Sequence, residues 1–107
     1  MPPANRVDET ISGMLEVASG VYAYQQPNGW CRSNGGLIVG DEFAVLIDTQ
    51  FTADLNTDYA QAIQAVTEIP VGYIVNTHHH GDHCFGNHLF PQASTVAHEN
   101  CREEILK

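Results

Sequence analysis

An apolar run of mostly β-branched and aromatic residues, 71–75, leads directly into Asn76-Thr77-His78-His79-His80-Gly81-Asp82-His83-Cys84-Phe85-Gly86-Asn87-His88. The run reads as a buried strand, so the histidines begin where a strand ends, a usual place for functional residues in an α/β protein. Imidazole and carboxylate are ligands of zinc and similar divalent ions. In extended backbone, side chains at i and i+2 point the same way. His78 and His80 then share a side and His79 faces away. Gly81 permits a sharp turn, after which Asp82 and His83 converge on the same pocket. One metal would take His78 and His80; a second, close by, would take Asp82 and His83. A pair leaves each ion short of the three or four protein ligands it normally has.

The pattern Thr77-His78-x-His80-x-Asp82-His83, with Gly86-Asn87 shortly after, resembles the signature of the metallo-β-lactamase superfamily. Other features agree in order: an apolar strand ending Leu46-Ile47-Asp48-Thr49, a helix, a strand, the histidines, then Val96-Ala97-His98-Glu99. The resemblance covers residues 20–107 and leaves 1–19 as a polar lead-in. It implies an α/β (α+β) fold, half of an αββα sandwich: a mixed β-sheet with helices on its outer face, the C-terminal half being absent. The family's later ligands, a His, a bridging Asp and a final His, have no counterpart here. The resemblance thus implies a second chain, another copy or a separate C-terminal half, over the exposed sheet face.

The same resemblance implies a metal-dependent hydrolase with two zinc ions in the complete enzyme; iron or manganese is also admissible. A water activated by the binuclear centre attacks an ester, thioester, lactam or similar bond. Asp82 is then catalytic as well as a ligand, orienting the water or shuttling its proton. A di-iron oxidoreductase on the same fold is an alternative, although those relatives tend to carry Glu at the position of His80. A non-catalytic metal-binding or assembly module, or a fragment, is another. Asp48, by the same analogy, braces the metal loop without ligating; an ordinary cap or turn contact near Thr49 and Thr52 is the other possibility.

Composition narrows the partners. The chain has 107 residues, 43% hydrophobic and 16% charged, as in a small globular domain. A formal net charge of −9 argues against nucleic acid or anionic membrane and leaves a small-molecule substrate. No apolar run reaches membrane-spanning length. Residues 1–9 lack the basic and apolar regions of a secretory signal, which points to the cytoplasm. The three cysteines, Cys31, Cys84 and Cys101, read as free thiols. Cys84, next to His83, is expected to point away from the metals.

Along the chain, residues 10–17 suit a helical turn or a strand equally. Residues 20–25 read as a strand, 26–29 as a hairpin turn, and 37–39 as a second strand. Trp30 either touches substrate or packs on its own hairpin. Residues 43–47 are continuously apolar and expected to be buried on both faces. Residues 53–69 show helical periodicity, with Leu55, Tyr59, Ala62, Ile63, Val66 and Ile69 on one stripe and Pro70 ending it. His88 is expected at the surface or behind the ligands, and residues 94–98 as a strand carrying His98 to the pocket wall or behind the ligands. Asn100 is expected to cap a final helix.

Overall fold

The computed structural model describes residues 13–26 and 32–107. Trp30, Cys31 and most of the expected hairpin turn lie outside them. The described elements are β1 (Gly13–Ala18), β2 (Val21–Gln25), β3 (Gly35–Val39), β4 (Ala44–Ile47), α1 (Ala53–Val66), β5 (Val71–Asn76), α2 (Gly81–Cys84), a 3-10 turn (Asn87–Leu89), β6 (Ser94–Ala97) and α3 (Glu99–Ile105). The six strands form one sheet in chain order. β1 through β4 pair antiparallel, while β4–β5 and β5–β6 pair parallel. The helix-or-strand ambiguity near residue 13 resolves as strand, because β1 finds a partner in β2. It lies within the stretch expected as a lead-in.

Helix α1 makes the crossover that parallel pairing of β4 and β5 requires. Thr52 caps it, its side chain accepting from Leu55 N at 3.1 Å. It ends at Val66, earlier than its apolar stripe suggests, with Thr67 already extended. Tyr59 and Ile63 from its buried face meet Tyr24, Leu37, Ala44, Leu46, Val71, Ile74 and Phe90 in the core. The Tyr59 hydroxyl reaches across the sheet, donating toward Ile47 O at 3.1 Å and accepting from Gly36 N at 3.1 Å. Burial pushes its pKa well above the ordinary phenol value.

Among the described residues, one face of the sheet is covered and the other is open. In β4, Ala44 and Leu46 are buried, but Val45 and Ile47 are half-buried and Phe43 is exposed. The expectation of burial on both faces therefore fails for residues 43–47: an apolar strand buries what its neighbours cover, and the helices lie on one side. Ile38, in register with Val45, is 44% exposed, Tyr73 40% and Val96 49%. By strand alternation these share the face opposite the core.

Parallel pairing of β4 and β5 sets their C-terminal ends side by side, Ile47 opposite Val75, at one sheet edge. Asp48 N donates to Val75 O at 2.9 Å across that edge. Ligands in open α/β sheets gather outside such carboxyl ends.

Candidate metal centre

At Asp48 the chain turns through φ 62°, a left-handed conformation in a residue that is not glycine. Aspartate tolerates this better than most residues, at a strain of about 1 kcal/mol or more. The turn sends a buried carboxylate under the histidine loop. Its Oδ1 accepts from Thr77 N at 2.7 Å, and its Oδ2 accepts from the Thr77 hydroxyl at 2.5 Å. Oδ2 also takes the His83 Nδ1 proton at 2.9 Å. Asp48 thus braces the loop; its contacts run to Thr77 and His83 and not to Thr49 or Thr52.

That last bond fixes the tautomer of His83. With Nδ1 donating to a carboxylate, Nε2 is the free acceptor. It faces Asp82 Oδ2 at 3.6 Å. On the other side of the loop, His78 Nε2 and His80 Nδ1 stand 2.6 Å apart. The His78 and His83 rings lie nearly perpendicular with centroids 5.3 Å apart. Partial burial lowers the His78 pKa, helped by the neighbouring imidazoles and opposed by Asp82, so its neutral, lone-pair form is favoured.

The structure therefore brings His78, His80, Asp82 and His83 to one sheet edge as two adjoining pairs. Among the described residues, no three or more His, Cys, Asp and Glu side chains are gathered as a group that could hold an ion. The donor chemistry fits a divalent metal: two imidazole nitrogens directed at each other, and beside them an imidazole nitrogen freed by a carboxylate and facing a second carboxylate. Each pair would supply part of a coordination shell to a bound ion.

Helix α2, which carries Asp82 and His83, is only four residues long and cannot satisfy its own backbone. Neighbouring elements do so. The His83 carbonyl accepts from Thr49 N at 2.9 Å and from Asn76 Nδ2 at 3.1 Å. Asn76 and Asn87 exchange side-chain hydrogen bonds, and the Thr49 hydroxyl donates to Asn87 Oδ1 at 3.0 Å. The Ser33 hydroxyl donates to the Asp82 carbonyl. The buried Cys84 thiol reaches the carbonyls of His79 and His80 at 3.1 and 3.3 Å, and burial raises its pKa.

Several expectations change here. Gly81 has no positive φ among the described residues; a Cβ on it would meet the Phe85 ring at 2.6 Å, so close approach explains the glycine. His79 does not face away: its ring centroid lies 4.4 Å from that of His80. The backbone leaves extended geometry at Thr77, so strand alternation no longer applies. His98 is exposed and caps α3, its Nδ1 accepting from Asn100 N at 3.1 Å. It therefore takes the capping role expected of Asn100 and is not at a pocket wall. His88 is exposed in the 3-10 turn.

Ser33, Gln50 and Asn56 were not singled out for this site by sequence reasoning. All three are buried polar residues: Ser33 bonds to the loop at Asp82, Gln26 links Gln50 to Ser33, and Asn56 clasps the Gln50 backbone. The one available signal was Gln50 and Asn56 closely following an apolar strand.

The family model of the metallo-beta-lactamase superfamily matches residues 28–106. Among solved structures, the chain is similar to a metallo-beta-lactamase from Hirschia baltica, with 20% identity over 87% of this chain and 46% of that one, TM-score 0.69. It is similar to the metallo-beta-lactamase FIM-1 from Pseudomonas aeruginosa, described in a mono-zinc form, with 17% identity over 90% and 46%, TM-score 0.69. A stereoselective inverting sec-alkylsulfatase from Pseudomonas sp. shares 24% identity over 92% of this chain and 16% of its own, TM-score 0.75. The chain thus spans less than half the length of each of these structures. No curated protein sequence matches it. These likenesses establish a common fold, and the family model, matching most of the chain, establishes descent: the chain belongs to the metallo-beta-lactamase superfamily.

Proposed function

We propose that this chain is the metal-holding half of a hydrolase with a binuclear centre, zinc being the favoured metal. The observation that carries the proposal is the paired geometry at the strand edge. His78 Nε2 and His80 Nδ1 face each other at 2.6 Å, and Asp48 sets His83 so that Nε2 looks toward Asp82. His78 and His80 would hold the first ion, Asp82 and His83 the second. When bound, such ions lower the pKa of water and polarise the bond to be cleaved. Asp48 keeps His83 in the tautomer with a free Nε2. Asp82, at an exposed edge of the pair, can also accept and release a proton from an attacking water. Membership of a superfamily with hydrolases among its solved structures supports ester, thioester, lactam or related small-molecule substrates.

Two ligands per ion are too few for a closed site. In this reading the remaining ligands come from outside these residues, from another copy or from a C-terminal half, which also covers the exposed sheet face carrying Ile38, Tyr73 and Val96. The test combines metal analysis with activity. The full chain is titrated with zinc, iron and manganese, then assayed on generic ester and lactam substrates beside His80→Ala. Metal-dependent hydrolysis lost in His80→Ala supports the proposal. Metal binding with no turnover, alone or with a complementing chain, would leave a metal-binding module; failure to bind any of the three ions would overturn the metal centre itself.

A further inference from the structure

We infer that Ser33, seated by Gln50, is a positioning residue for Asp82; this rests on the metal-site reading above. Asp82 stands in a helix too short to orient its own backbone. Its carboxylate meets His83 Nε2 at 3.6 Å, too long for a hydrogen bond to aim it. The direction of the side chain is therefore inherited from the main chain. One side-chain grip on that main chain comes from 49 residues away: the Ser33 hydroxyl donates to the Asp82 carbonyl. The rest of α2 is held through His83, by Thr49 and Asn76.

Ser33 is itself held. It is 9% exposed, and its own carbonyl accepts from Gln26 Nε2 at 2.8 Å. The same Gln26 amide donates to Gln50 Oε1 at 2.7 Å, so Gln50 holds Ser33 through Gln26, the one Ser33 hydroxyl proton being given to Asp82. Gln50 is fully buried, and Asn56 clasps its backbone on both sides, accepting from Gln50 N at 2.8 Å and donating to Gln50 O at 2.9 Å. Its Nε2 finds no acceptor among the described residues. A buried amide with an unmet donor is disfavoured, and an apolar residue would fill the same space without that penalty. What the glutamine supplies in return is the oxygen that ties Gln26, just after β2, to the strand end under Asp82, and Gln26 in turn holds Ser33. Ser33, held through Gln26 by Gln50, thus acts on Asp82, and neither Ser33 nor Gln50 bonds to His78 or His80.

The experiment uses the full chain and two readouts. Zinc is titrated into wild type, Ser33→Ala, Ser33→Thr and Gln50→Leu, resolving the two binding steps. Amide hydrogen exchange is followed on the same proteins without metal. Ser33→Ala and Gln50→Leu are expected to weaken the second step about tenfold, in the range for lost outer-shell contacts, with the first step unchanged. Ser33→Thr, which keeps the hydroxyl, restores it. In the metal-free chain the Phe85 and Gly86 amides exchange about tenfold faster in Ser33→Ala, while those of β4 keep their rates. Two bound ions with no change in either readout overturn the inference and leave the metal site standing. So does equal weakening of both steps with faster exchange throughout β4, which marks general loosening. Absence of zinc binding by wild type, with the local exchange effect present, removes the metal site but retains the hold of Ser33 on Asp82.

Discussion

At the scale of single residues, the centre depends on Asp48 more than its position in a strand-end tetrapeptide suggests. One carboxylate orients Thr77 and selects the tautomer of His83. Asp48→Asn preserves volume but replaces an acceptor oxygen with an NH2 group among donors. Metal affinity is expected to fall about 10- to 100-fold, read by competition with a chromophoric chelator; an unchanged affinity would separate Asp48 from the metal site. Gly86 depends on the same packing. A Cβ there would overlap the Asn56 amide, which holds the Gln50 backbone. Gly86→Ala is expected to destabilise by about 1–3 kcal/mol through overpacking, seen as a lower urea midpoint. Asn56→Ala in the same chain should then cost less than the sum of the two single changes, because the clash and the clasp share one side chain.

At the scale of elements, α1 and α2 are stabilised in opposite ways. Helix α1 is long enough to satisfy its interior and gains from an apolar stripe, with Tyr59 tying it to β3 and β4. Tyr59→Phe leaves Gly36 N without its hydroxyl acceptor and is expected to destabilise by about 1–3 kcal/mol. The pH dependence has a definite sign. The folded-state pKa of Tyr59 is raised, so its contribution is intact below the ordinary phenol value of 10.0. It is lost as pH climbs above that value, because the unfolded chain releases the proton first. Thermal melts from pH 9 to 11 should show a shallower alkaline decline in Tyr59→Phe than in wild type. Helix α2 has no such interior. Its carbonyls are satisfied by Ser33, Thr49 and Asn76, so its stability belongs to the strand ends beneath it.

At the scale of the whole molecule, among the described residues one sheet face is packed and the other is apolar and open. Phe43 and Tyr73 meet edge to face there with centroids 5.1 Å apart, and both remain exposed. Contiguous exposed apolar surface of this kind marks association. In the proposal that a second chain covers it, the protein sediments faster as concentration rises. Ile38→Lys with Val96→Lys, both at exposed positions, should abolish that dependence with the unfolding midpoint retained. Monomeric sedimentation of wild type across the concentration range would remove this face as a docking surface.

The strands from β2 to β6, helix α1 with its stripe around Tyr59 and the final helix were legible in the residues, because periodicity is a local property; the four-residue helix α2 was not, Gly81 having been read as a turn. Asp48 could be placed beneath the loop only by resemblance. Its left-handed turn and its bonds to Thr77 and His83 exist because parallel pairing sets the ends of β4 and β5 together. Strand alternation misled at His79 for the converse reason: the chain bends where the pattern was assumed to continue. Which face of the sheet is covered was likewise available by resemblance alone, since an apolar strand carries no record of which face its helices take. The sequence by itself determined the donor types, imidazole and carboxylate, on which the proposed metal site rests and where they lie along the chain. Tertiary structure alone decided how they are aimed, because Ser33, Asp48 and Thr49, which hold the loop, lie 29 to 49 residues from their partners in it and are brought there by the fold.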